Sequence, residues 1–393
     1  MKIGISNLDK ILIYGFGKDG KDFYNRYKDK YDIVGFIDNY CTDNIIPIYK
    51  IGDIDERFKN IKIVIASSKY GLEMAEQLID MGYTLGVDAY FSWMVEGKKI
   101  ALIHGNCQTN NIREILLCNN EFKSDYTFVE FPRIFSCNCI AALNKYKKIG
   151  VFNICDLLII QNINDDNKFG YELSANNVIK LVGDKCKIVR IPILSFSGYF
   201  PQHTTNKNIK FANEEQFSGL FPCGDINVER YIKQGMMKSD ILNTIIKPDY
   251  YSKECIDKLI LENFERIKIQ DDMSDIKIGD YIYNNYNKKL LFYSWLHPIN
   301  ELILELTNRI LTYLDYEKLD YSDIINMGTL KGQDEAIYPS TMINIFGKIL
   351  DLKYYTNRYL HGLKKINVQK EYDFKEFIEL YIDVCFYGLY DEE

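Results

Sequence analysis

The 393-residue chain is 47% hydrophobic and 26% charged and carries a formal net charge of −7. That composition supplies apolar side chain for sizeable cores and excludes global disorder, and with no dense Lys/Arg stripe to offset the acidity it makes nucleic acid a poor partner. No segment reaches the roughly 18 apolar residues that span a bilayer, and the N-terminus lacks the pattern of a cleaved leader. The expectation is therefore a cytoplasmic protein with no transmembrane segment, peripheral association at the inner membrane face and oligomerisation being left open.

Residues 1–96 alternate strand and helix. Strands are predicted over Ile11 to Tyr14, Ile33 to Ile37 and Ile63 to Ala66, with helices through Lys28 and over Gly71 to Met81. Such βαβ alternation implies a parallel sheet with right-handed crossovers. Between the first strand and its helix, Gly15, Gly17 and Gly20 fit G-x-G-x-x-G, and Asp38 ends the next strand. Glycines let a backbone approach a diphosphate, and a carboxylate at the next strand end can accept from ribose hydroxyls. A nucleotide or nucleotide-sugar ligand and a purely structural or regulatory domain both remain open from these residues.

The pattern restarts after Glu96. An apolar strand, Ile100 to His104, runs into Gly105-Asn106-Cys107-Gln108 and then a helix over Thr109 to Leu117. A thiol at the mouth of a helix is stabilised as thiolate, and the free N–H groups there can receive an oxyanion. Asn106 and Gln108 add neutral donors, so Cys107 reads as a functional residue rather than a buried small one. Further strands are expected over Tyr126 to Phe131, Leu157 to Gln161 and Lys187 to Ile191; Gln161 could complete an oxyanion hole. From about Asn227 onward the pattern is mostly helical, with Asp225 as a helix cap.

A thiol nucleophile calls for a base. Of the four histidines, His297 precedes Pro298, which suits the first turn of a helix and would fix His297 at the helix start. His104 ranks second, standing on the strand before the Cys107 turn. His203 follows a loop suited to lining a pocket, and His361 belongs to a late surface helix. The ten cysteines form no C-x-x-C pair and none stands at zinc spacing from a histidine, so no metal is read from spacing.

The stretch from Ile100 to Ala141, the strand ending in Gln161, the PILSFSGYFPQ segment and the SWLHPINEL helix start together resemble the WcbI-type polysaccharide-biosynthesis acyltransferases, whose core is comparable to SGNH (GDSL-like) hydrolases. The first ninety-odd residues resemble the small Rossmann-like domains of polysaccharide-biosynthesis enzymes, which in sugar acyltransferases of the PglD type bind a nucleotide-sugar. The resemblance implies an α/β protein: a Rossmann-like parallel sheet over 1–96, an SGNH-like acyltransferase domain over 97–330 with a largely helical C-terminal part, and a helical extension over 331–393. It implies acyl transfer from coenzyme A, as acetyl-CoA, to a sugar hydroxyl of a polysaccharide precursor in capsule or other surface-polysaccharide assembly. Cys107 and His297 are the catalytic pair, with Gln108 and Gln161 beside them and Asn106 on the cofactor. The SGNH pattern has an Asp three residues before the His; here that position is Ser294, which puts a true triad in doubt. The reading requires the Cys107 sulfur and the His297 imidazole to share one pocket. The alternatives are an esterase or thioesterase using the same residues with water, and a non-catalytic nucleotide-sugar-binding scaffold.

Overall fold

Two parallel sheets follow one another along the chain. The computed structural model describes residue 5 and residues 9–42, 46–58, 60–205, 221–325, 333–356 and 371–387. The chain divides into two compact units, one of residues 1–109 and 116–189 and one of residues 110–115 and 190–393.

In the first unit, β1 (Lys10–Tyr14), β2 (Asp32–Ile37), β3 (Ile48–Tyr49), β4 (Lys62–Ile65) and β5 (Ala89–Phe91) form a five-stranded sheet in the order β3-β2-β1-β4-β5, every pair parallel. Ile11, Leu12 and Ile13 are fully buried. A strand buried on both faces reads as a continuous apolar run rather than an alternation, which is the pattern the sequence shows. The order reverses at β1, so the turns after β1 and β4 sit side by side at the strand ends where open α/β sheets bind ligands.

A second sheet follows, in the order β7-β6-β8-β9: β6 (Lys99–His104), β7 (Tyr126–Phe128), β8 (Leu157–Gln161) and β9 (Lys187–Ile191). β6 runs parallel to both β7 and β8, with His104 paired to Ile160, so the residues after His104 and after Ile160 leave the sheet at the same edge. β7 ends at Phe128, three residues before the predicted end. The α/β class with parallel sheets is as expected.

The second unit is mostly helical. Its longer helices are Ile226–Lys233, Lys238–Ile245, Lys253–Asp272, Asn300–Tyr313, Pro339–Phe346 and Phe374–Ile382. Asp225 caps the first, accepting from the N–H of Asn227 and Val228 at 3.0 Å each. Two antiparallel strand pairs accompany the helices: β10 (His203–Thr205) with β11 (Cys223–Asp225), and the hairpin of β12 (Phe292–Ser294) with β13 (His297–Pro298). Phe221, Val228, Leu242, Tyr338, Tyr354 and Phe377 share one buried cluster, so the described residues after 333 pack into the same core as the helices near 230. Among the described residues no helix is long and apolar enough to cross a membrane.

Candidate functional site

The turn after β6 is braced from beneath. Gln161, fully buried at the end of β8, accepts from the Asn106 N–H through Oε1 at 2.8 Å and donates through Nε2 to Gln108 Oε1 at 3.0 Å. Asn106 Oδ1 in turn accepts from the Gln108 N–H at 2.9 Å, and Thr109 closes onto the Asn106 carbonyl through Oγ1 at 2.7 Å. A Cβ on Gly105 would lie 2.2 Å from Gln161 Oε1, so only glycine lets the strand end pass this close to the bracing amide. The result is a fixed turn that sets half-buried Cys107 directly before the helix Gln108–Leu116. Among the described residues, the Cys107 N–H has no acceptor, whereas those of Asn106 and Gln108 do. Sequence reasoning offered Gln161 to an oxyanion hole; the structure places both of its polar ends on the turn itself.

His104 is removed from consideration as a base. It is buried, its Nε2 lies 2.8 Å from the Leu173 carbonyl, and its ring packs T-shaped against Phe131. A carbonyl only accepts, so Nε2 carries the proton. Burial pushes the imidazole down to about 4, only partly opposed by the Leu173 bond.

His297 does not stand at a helix start. It pairs with Ser294 in the β12–β13 hairpin, and the helix begins only at Asn300. Pro298 is taken up by the hairpin, opposite Phe292. His297 Nδ1 lies 2.8 Å from Asp334 Oδ2 and 2.8 Å from Ser294 Oγ. A carboxylate beside Nδ1 favours the tautomer with its proton there, which makes Nε2 the basic nitrogen. The orienting acid is thus present, supplied by Asp334 rather than by the third residue before the histidine.

Asp334 belongs to a segment pinned at several points. Gln333 bridges to Tyr354, with the Tyr355 N–H donating to the Gln333 carbonyl at 2.8 Å, and Gln202 Nε2 donates to the Ala336 carbonyl. Glu335 accepts from the Trp295 N–H at 3.0 Å, at the turn of the His297 hairpin, and its other oxygen lies 2.6 Å from His203 Nδ1. His203 itself opens strand β10, directly after the predicted loop. Neighbouring carboxylates therefore hold the hairpin at two points. No sequence signal marked these residues, because Asp334 and Glu335 stand well beyond the histidines they serve. His361 lies outside the described residues.

The sequence matches the family described as polysaccharide biosynthesis enzyme WcbI over residues 100–319, more than half of the chain. The chain belongs to the WcbI family. Cys107 and His297 fall inside the matched span, and Asp334 falls outside it. No curated protein matches the chain. Two solved chains do. One is WcbI, described as a novel polysaccharide biosynthesis enzyme and as the native protein without a disulfide bond between coenzyme A and one of its cysteines; it is 18% identical, with a TM-score of 0.58 over 72% of this chain and 87% of that one. The likeness at that identity is one of fold.

The glycine turn after β1 lies outside the WcbI match. Gly15 has φ +110°, and a Cβ on Gly20 would lie 1.8 Å from the Gly15 carbonyl oxygen, so close backbone packing by itself requires both glycines. Gly17 caps the helix Lys18–Tyr27 and has open space where a Cβ would stand. Asp38 accepts from the N–H groups of Phe16, Tyr40 and Cys41 at 2.9–3.0 Å. Burial raises its carboxyl, and these three donors outweigh that to hold it below the usual range. Asp19, also lowered, accepts from the Ser68 N–H beyond β4 at 2.7 Å. Ionised, Asp38 and Asp19 suit sugar hydroxyl groups as partners.

Proposed function

We propose that this WcbI-family enzyme transfers an acyl group, as acetyl, from coenzyme A to a sugar hydroxyl of a surface-polysaccharide precursor, in the cytoplasm. The observation that carries the reading is the His297–Asp334 pair. Activating a sugar hydroxyl at neutral pH calls for an imidazole held in one tautomer, and Asp334 holds Nδ1 as the donor. In the transfer, His297 Nε2 takes the hydroxyl proton, the sugar oxygen attacks the thioester carbonyl, the C–S bond breaks, and the proton passes to the departing coenzyme A thiolate. Asp334 stabilises the imidazolium formed between these steps.

Cys107 is assigned to the thioester. Its N–H is the backbone donor that the turn leaves for an oxyanion, and the Asn106 amide, oriented by its Oδ1 bond to Gln108, adds Nδ2. Gln108 and Gln161 are positioning residues, since their amides bond each other and the turn. Coenzyme A as donor is supported by family membership and by the WcbI structure described with coenzyme A and a cysteine. For the turn after β1 the proposed ligand is a nucleotide-sugar, contacted through its hydroxyls by Asp38 and through open backbone at Gly17.

Purified protein incubated with acetyl-CoA, with and without sugar acceptors, tests the reading by thiol release. Release that needs the acceptor and is lost in His297→Ala supports the transferase. Equal release without acceptor makes it a thioesterase. Absence of coenzyme A from native mass spectra of the complex overturns both.

A further inference from the structure

We infer that His203, Cys223 and Glu335 form a binding site for a zinc-like divalent cation in the second unit. One nitrogen, one sulfur and one carboxylate oxygen from these residues all lie within 4.8 Å of one another. The β10–β11 strand pair explains how two of them meet. His203 pairs with Asp225 and Thr205 pairs with Cys223, so His203 and Cys223 are diagonal neighbours on one face of the β10–β11 ladder. Glu335 arrives from the pinned segment that carries Asp334.

The donor set is chemically selective. Imidazole, thiolate and carboxylate are the ligands of zinc, with metal–ligand bonds of about 2.0–2.3 Å, whereas calcium and magnesium take oxygen alone. An independent observation points to a ligand here. Gln202 is 1% exposed, lines the same cavity as Cys223 and Glu335, and its Oε1 is buried with no partner among the described residues. It provides a neutral oxygen for a fourth position.

Binding releases the Cys223 thiol proton, and neutral His203 offers a ring nitrogen with its proton kept on the other one, with no change of oxidation state. The sequence spacing could not show such a site, because its three ligands come from distant segments. Once formed, it ties the segment bearing Asp334 to the β10–β11 strand pair.

The test is metal analysis and cobalt substitution of the full-length protein. Zinc-loaded, dialysed protein is expected to hold one equivalent per chain. Cobalt(II) added to the chelated protein is expected to give a thiolate-to-metal charge-transfer band that zinc abolishes. Cys223→Ser should remove the band, and Glu335→Gln should weaken cobalt binding at least tenfold. Cys137→Ser and Cys255→Ser, at exposed thiols, should leave both readouts unchanged. A wild-type protein holding well under one equivalent, or showing no thiolate band, overturns the site whatever the variants do, as does a band that survives in folded Cys223→Ser.

Discussion

His297 Nδ1 and Asp334 Oδ2 lie 2.8 Å apart, with Ser294 Oγ at the same distance from the same nitrogen. The carboxylate does what a neutral hydroxyl cannot: it selects the tautomer and stabilises the imidazolium. Asp334→Asn is therefore expected to lower acyl transfer by about 10²- to 10⁴-fold with KM little changed, the wrong tautomer then being favoured. Ser294→Ala removes one neutral bond and is expected to cost about fivefold, from about 1 kcal/mol. Steady-state kinetics over a pH series decides; equal losses in the two variants would contradict the assigned roles.

The brace under Cys107 predicts a second pair of effects. Gly105→Ala forces a Cβ onto Gln161 Oε1, and overpacking of this kind costs about 1–3 kcal/mol. Gln161→Ala instead leaves the buried Asn106 N–H without its acceptor, at about 1–3 kcal/mol. Urea denaturation measures both. Thiol-reagent kinetics at Cys107 should also change in Gln161→Ala, because the turn that presents the sulfur is released.

The parts of this arrangement visible in the sequence are those made locally. A strand, a glycine and a helix start within ten residues placed Cys107 correctly, and the apolar run ending in Gln161 marked the neighbouring strand. What could not be seen depends on distant pairing. Pro298 has the right ring for a first helical turn, yet Ile299 donates to the Leu291 carbonyl and Pro298 sits opposite Phe292, so tertiary pairing set the hairpin and delayed the helix to Asn300. Asp334 and Glu335 stand in a stretch with neither periodicity nor motif. Their role follows only from where the segment is pinned.

His104 predicts a pH dependence of stability. Its folded-state value, about 4, lies below the ordinary 6.5, so between those values the unfolded chain binds more protons. The stability contributed by the neutral ring is fully present above 6.5 and is lost as pH falls toward 4, by about 3 kcal/mol in all. His104→Gln keeps a donor for the Leu173 carbonyl and removes the titration. Denaturation of wild type at pH 7 and pH 5 should show a loss that the variant lacks; identical losses would mean the ring is not held neutral.

Asp225 predicts the opposite slope. It is buried under Tyr338, whose hydroxyl donates to Oδ2 at 2.7 Å, and burial pushes its carboxyl up to about 7 despite the capping N–H groups. An acid whose folded value is raised above 3.8 favours the fold while protonated, and that contribution is lost as pH rises toward 7. Asn is as good a helix cap as Asp, and the Tyr338 hydroxyl can turn to accept from its amide. Asp225→Asn is therefore expected to unfold within about 1 kcal/mol of wild type at pH 5. At pH 8 it should be the more stable protein, because no charge is buried. Paired urea titrations at the two pH values measure the difference, and a variant weaker than wild type at pH 8 would show that the three donors fully compensate the buried carboxylate.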